Sequence, residues 1–177
     1  MGLNILITNR QRTKKINPRF LKQVVAELFT EVEITEAELG IHLVSEKKMA
    51  RVNWQFLQHE GSTDVITFDH ATPVAALVKA RTKTRTASRV FTNAATRLHG
   101  ELFVCVDDAV KQAKEFKTSW PAEVVRYIVH GILHLLGHDD LKPHLRRKMK
   151  REENRLVRLL ARRFALANLS RPVKMVA

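Results

Sequence analysis

Apolar and polar positions follow two periods along the chain, and the switches between them mark out its elements. Residues 3–8, Leu-Asn-Ile-Leu-Ile-Thr, form a β-rich apolar run and read as a first strand. Residues 9–15 are polar and basic. Asn17-Pro18 then predicts a helix start, with Asn as N-cap and Pro in the first turn. Phe20, Leu21, Val24, Val25 and Leu28 recur at helical spacing through about Val32. Residues 38–44 read as a second strand. Ser45 caps a helix that runs to about Gln58, with Met49, Val52 and Phe56 on its inner face. Residues 63–68 give a third strand and residues 100–106 a fourth.

Three more helices follow. Asp107 is expected to cap the first of these, with Val110, Ala113 and Phe116 on one side. Trp120-Pro121 opens the next, whose buried stripe is Val124, Val125, Ile128, Ile132 and Leu135. Lys142-Pro143 starts a long last helix, through about Ala167, with Leu145, Met149, Leu156 and Leu160 facing inward. Residues 71–98 keep neither period. They read as a basic insertion, a long loop or hairpin extension. Strands and helices mix without strict alternation and no linker divides them. The pattern predicts one α+β domain over residues 1–168: a small mixed sheet of about four strands packed with several helices. Residues 169–177 read as a flexible tail.

Charge changes the picture. The chain of 177 residues carries 31 Lys and Arg against 18 Asp and Glu, a net +13. Such an excess points to a polyanionic partner, nucleic acid first and an anionic membrane surface second. It falls in two places. Lys79, Arg81, Lys83, Arg85, Arg89 and Arg97 occupy the insertion with no acid between them, an arm suited to a phosphate backbone. Arg146, Arg147, Lys148, Lys150, Arg151, Arg155, Arg158, Arg162 and Arg163 load the last helix, offset there only by Glu152 and Glu153. No apolar run is long enough to span a bilayer, and no secretory signal pattern opens the chain. The single Cys105 excludes an internal disulfide, so a cytoplasmic location is the default.

The candidate chemistry sits in His130-Gly-Ile-Leu-His134-Leu-Leu-Gly137-His138-Asp139-Asp140. Histidines at i and i+4 of a helix share one face. Gly137 breaks the helix and lets the chain double back, bringing further ligands. This is the layout of a metal site with two helical nitrogens and a third ligand from the turn, and zinc is the expected ion. Asp140 has the reach to be the third ligand; His138 and His144 are the alternatives. Asp139 can accept from an imidazole N–H or cap the turn. Zinc-bound water acidifies to a pKa near ~7, which suits attack on a phosphodiester or an amide. A His-Glu-x-x-His protease needs a Glu after its first His; here that residue is Gly131, so the protease reading fails. Asn53, His59, Thr63 and Asp64, around the start of the third strand, form a possible second wall of the site.

The signature His130-Gly-Ile-Leu-His-Leu-Leu-Gly-His-Asp-Asp140 resembles the His-Gly-x-Leu-His-Leu-x-Gly-Tyr-Asp-His motif of the YbeY family of bacterial rRNA maturation factors. The stretch from Asn53 to Phe68 resembles the family's Asn-x-x-Phe-Arg…Thr-Asp-Val-Leu-Ser-Phe segment. Gly100-Glu-Leu-Phe-Val-Cys105 resembles its Gly-Asp-Ile-x-Ile-Cys strand. The resemblance implies an α+β fold with zinc at the end of the signature helix. It implies a single-strand-specific endoribonuclease, acting in late 16S rRNA 3′-end maturation and ribosome quality control on the small ribosomal subunit. His130 and His134 match two ligand positions. The family's third ligand is a histidine, and here Asp140 stands in its place. The family's arginine, implied to bind phosphate, falls on Leu57. His59 is the candidate to take over as a catalytic group, and Arg81, Arg85 and Arg89 are the candidates to bind substrate. The two departures leave a second expectation, a ribosome-binding assembly factor whose zinc is structural.

Overall fold

A computed structural model describes residues 2–70 and 96–170. The stretch with Arg81, Arg85 and Arg89 therefore lies outside the described residues, as does the chain beyond Ser170. The described elements are β1 (Leu3–Asn9), α1 (Pro18–Glu31), β2 (Ile34–Val44), α2 (Glu46–Leu57), β3 (Val65–Asp69), β4 (Thr96–Cys105), α3 (Val106–Glu115), α4 (Trp120–Leu135) and α5 (Pro143–Arg163). A 3-10 turn, Leu166–Ser170, follows. The four strands form one sheet in the order β1-β2-β4-β3. β1, β2 and β4 are parallel, and β3 runs antiparallel along β4. The α+β expectation of a small mixed sheet packed with helices matches this architecture.

The period of two in the strands explains the layers. Leu39, Ile41 and Leu43 of β2 and Leu98, Leu102 and Val104 of β4 point to one face and are buried in the main core with α1, α4 and α5. On the other face, α2 covers one end of the sheet with Met49 and Val52 against Val44, Ile66 and Cys105. Burial pushes the Cys105 thiol pKa up to about 12, so it behaves as a small apolar side chain. Among the described residues, no helix is long and apolar enough to cross a membrane.

Several local expectations change. β4 starts at Thr96, within the stretch read as an irregular insertion, because Leu98 continues the inward alternation while Arg97 and His99 face out. Phe56 and Phe116 are exposed rather than inward. Phe56 instead packs edge-on against Phe68, with ring centroids 5.0 Å apart. Asp107 does not cap α3, which begins at Val106. Its carboxylate accepts from the Glu46 N–H at 2.6 Å and so serves the start of α2. Leu169, placed at the head of the tail, is fully buried, and its carbonyl accepts from the Asn17 N–H at 2.8 Å.

Helix α4 is the axis of the molecule. Ser119 caps it, its Oγ accepting from the Ala122 N–H at 3.4 Å. Its apolar residues meet α1, α3 and α5 on several sides, and β3 and β4 on another. The approach to the sheet is possible because residue 131 has no side chain. A Cβ there would stand 2.8 Å from Leu102 Cδ2, 3.1 Å from Thr67 Cγ2 and 3.3 Å from Val65 Cγ2. Position 131 therefore faces the sheet, and no general base could occupy it. Gly131→Val is expected to destabilise the fold by about 1–3 kcal/mol through overpacking. Urea unfolding measures this; an unchanged midpoint would contradict the close helix–sheet packing.

Candidate metal centre

The last two turns of α4 carry His130 and His134 on one face, one turn apart. The helix stops because Gly137 takes φ +88, a left-handed conformation that glycine adopts without penalty. The Gly137 N–H donates to the His134 carbonyl and the His138 N–H to the Leu133 carbonyl, both at 2.9 Å. That is a Schellman ending, and it folds residues 138–140 back over the histidines. Asp140 then faces both rings. Its Oδ2 lies 3.9 Å from His130 Nε2 and its Oδ1 4.0 Å from His134 Nε2. Arg146, at the start of α5, fixes this turn by donating from Nε to the Asp140 carbonyl at 3.0 Å.

The outward nitrogens of both rings are tied. His130 Nδ1 lies 3.0 Å from Glu153 Oε2, and His134 Nδ1 lies 3.1 Å from the His138 carbonyl. Glu153 is a buried carboxylate on α5, met by Arg126 Nη1 at 2.5 Å and Lys150 Nζ at 2.8 Å. Burial acts to raise its pKa, but hydrogen bonds from His130, Lys150 and Arg126 prevail and hold it down to about 2. A carboxylate and a carbonyl only accept, so both Nδ1 atoms must donate. The Nε2 atoms of the neutral rings are then both lone-pair bearers, and they face each other at 3.1 Å.

Two facing lone pairs need a positive charge between them. One proton can provide it. Burial lowers the His130 pKa, yet its hydrogen bond with Glu153 and that charge outweigh burial and raise it. His134 is lowered, by burial first and by His130 second. A metal ion provides the charge better, and the atoms fit one. His130, His134 and Asp140 each offer a ligand atom, all within 4.8 Å of one another. A tetrahedral zinc ion with bonds of about 2.0–2.2 Å sets its ligand atoms about 3.3 Å apart, close to the geometry of the two nitrogens. His130, His134 and Asp140 can therefore hold a metal ion.

A groove of about 1020 Å³ opens beside His130 and Asp140. Arg126, Arg146, Lys150, Glu153 and Asn154 line one side of it, and Ser62, Thr63, Asp64, Asp108, Gln112 and Thr118 the other. Of the expected second wall, Thr63 and Asp64 are in the lining. The Asp64 carboxylate also caps the start of β3, accepting from the Val65 N–H at 2.9 Å. Asn53 is buried and bonds the Gly61 carbonyl at 3.0 Å. His59 is exposed and does not line the groove. His138 contributes its carbonyl, His144 is exposed, and Asp139 caps the turn, accepting from the Leu141 N–H at 2.9 Å.

Sequence reasoning missed Glu153, reading it as one of two acids on a basic surface. Its phase was the signal: Met149, Glu153, Leu156 and Leu160 fall on one stripe of α5, and all four are buried.

The Glu153 pKa is lower folded, about 2, than its ordinary value of 4.5. The stabilisation it carries is therefore fully present above about 4.5 and is lost as the pH falls towards about 2. Metal-free protein should lose thermal stability across that window, and Glu153→Gln should lose less over the same range. A wild-type-minus-variant difference in melting temperature that is constant with pH would contradict the charged, paired carboxylate.

Known proteins resemble this chain in sequence and in fold. A family model described as Endoribonuclease YbeY matches residues 6–161. A relative from Phocaeicola vulgatus, named Endoribonuclease YbeY, is 30% identical over 148 residues, 84% of this chain and 88% of the relative. One of the same name from Bacteroides thetaiotaomicron is 33% identical over 118 residues, 67% of this chain and 70% of the relative. Another, from Chlorobium phaeovibrioides, is 30% identical over 114 residues, and that match spans 62% of the relative's length. A solution structure of a Thermotoga maritima protein superposes with a TM-score of 0.59 at 22% identity, covering 98% of this chain and 99% of the other, and so shares the fold. The chain belongs to the YbeY endoribonuclease family.

Proposed function

We propose that this protein is a zinc-dependent endoribonuclease that cuts single-stranded RNA in the groove beside His130 and Asp140. The observation that carries the reading is the pair of tied imidazoles, whose free nitrogens converge with Asp140 at the edge of a groove large enough for nucleotides. The family's name, and a net charge of +13, support RNA as the polyanion. We place the substrate at the 3′ end of 16S rRNA on the small ribosomal subunit, in maturation and quality control, and the protein in the cytoplasm where that RNA is made. This placement rests on the family resemblance.

His130, His134 and Asp140 hold the ion, as neutral imidazoles and a carboxylate. Bound zinc supplies Lewis-acid charge and makes hydroxide available at neutral pH. Glu153 keeps the His130 ring in its tautomer and orientation, as second partners of ligating histidines do. Arg146 and Lys150 are exposed cations on the groove wall and meet the phosphate oxygens of the bound strand. Ser62, Thr63 and Gln112, opposite, supply neutral donors and acceptors for sugar and base edges. Arg81, Arg85 and Arg89 extend the phosphate contacts. With Leu57 in place of an arginine, Arg146 and Lys150 carry the charge that residue would bring. His59 is left without a catalytic role because it stands outside the groove lining.

The alternative is a ribosome assembly factor whose zinc is structural. One experiment separates the two. His134→Ala should leave the fold intact and abolish cleavage of single-stranded RNA, and cells relying on it should accumulate unprocessed 16S 3′ ends. Normal 3′ ends from a folded variant would contradict the nuclease. Unfolding of the wild type on chelation, with assembly kept in a folded variant, would favour the structural role.

A further inference from the structure

Helix α5 faces the core with Met149, Glu153, Leu156, Val157 and Leu160. At about 100° per residue, Arg147, Arg151, Arg155, Arg158 and Arg162 fall in one narrow strip on the opposite side. All five are exposed. From Arg147 to Arg162 the strip runs about 22 Å along the axis, at a rise of about 1.5 Å per residue. Arg155 is committed to the fold, with Nη1 2.7 Å from Glu31 and Nη2 2.8 Å from Glu152. Arg163, beside the strip, is likewise paired with Glu27. The other four are differently placed. Arg147, Arg151 and Arg162 have no hydrogen-bond or ion-pair partner among the described residues. Arg158 bonds, among the described residues, only the backbone carbonyl of Asn154, at 3.1 Å. Among the described residues, a depression of about 550 Å³ on this side is lined by five arginines and Leu159, with no acid.

The chemistry of the strip narrows its partner. α5 contains no Phe, Tyr or Trp. It offers no stacking platform of the kind that holds unpaired bases. A straight row of guanidinium groups suits phosphates held in rigid rows, as in a base-paired RNA arm. An interfacial membrane helix needs a free apolar face, and that of α5 is spent in the core. The strip also borders the groove. Asn154, in the groove lining, is one helical turn from both Arg151 and Arg158, at i−3 and i+4.

We propose that Arg147, Arg151, Arg158 and Arg162 form a docking surface for the phosphate backbone of a base-paired RNA arm, held beside the single strand that enters the groove. The proposal rests on the RNA-cleaving reading of the groove for its second half only. The recognised feature is the duplex backbone, so the surface selects substrates in which a helix flanks the cut strand.

The test uses full-length zinc-loaded protein and a variant carrying Arg147→Gln, Arg151→Gln, Arg158→Gln and Arg162→Gln. One RNA is a hairpin with a single-stranded 3′ tail; the other is the tail alone. Wild-type protein should bind the hairpin RNA more tightly. In the variant, the slope of log affinity against log salt for that RNA should fall by about 3–4, at about 0.9 per lost phosphate contact. Binding and cleavage of the tail alone should be unchanged. Arg162→Gln alone should lower the slope by about 1, which keeps the test open if the fourfold variant does not fold. Wild-type salt slopes in the variants would overturn the proposal. So would an equal loss on both RNAs, or retained hairpin binding with loss of binding to phosphatidylserine vesicles. Binding measured in a His134→Ala background separates the two readings: a wild type that cuts neither RNA removes the nuclease, while the slopes still judge the strip.

Discussion

Two imidazole nitrogens that both carry lone pairs repel each other at hydrogen-bonding distance unless a positive charge lies between them. His130 and His134 are held in that situation, with their Nε2 atoms 3.1 Å apart. The holding group is Glu153. Its side chain is only 4% exposed, and it stays ionised because Arg126, Lys150 and His130 all bond it. A buried charge kept in this way links α4 to α5 and sets the ring that points at Asp140. Removing one partner of such a cluster leaves an uncompensated charge, so the network is costly to alter piecemeal.

The fold supplies the rest of the geometry through two glycines in α4 and its exit. Gly131 lets the helix lie against β3 and β4, which fixes the depth at which the histidines stand. Gly137 reverses the chain, so that one short turn delivers both the His138 carbonyl and the Asp140 carboxylate. Arg146 closes the arrangement from α5. Three consecutive segments, the end of α4, the turn and the start of α5, thus build a centre that the sheet only supports. The opposite groove wall comes from the β3 entry and α3, which explains why its residues are scattered in sequence.

What was legible in the chain was what depends on short spacing. The i, i+4 histidines, the glycine that stops their helix and the stripes of α1 and α4 all follow from local periods and caps. The α+β class followed from the mix of elements. What depends on contacts distant in sequence was not legible. Glu153 is 23 positions from His130, and only packing of α5 on α4 brings them together. Asp107 looked like a cap for its own helix, yet its carboxylate serves the N-terminus of α2. Phe56 and Phe116 kept a helical phase but stand at the edge of the core, both largely exposed, with Phe56 resting only edge-on against Phe68 among the described residues. The start of β4 was hidden because polar Arg97 and His99 occupy its outward positions, and pairing with β2 decides its length.

The most direct measurement is anomalous diffraction at the zinc edge on crystals of the purified protein. One strong peak is expected within bonding distance of His130 Nε2, His134 Nε2 and a carboxylate oxygen of Asp140, facing the groove, with Glu153 still on His130 Nδ1. No peak there, or a peak held by His138 or His144 in place of Asp140, would contradict it.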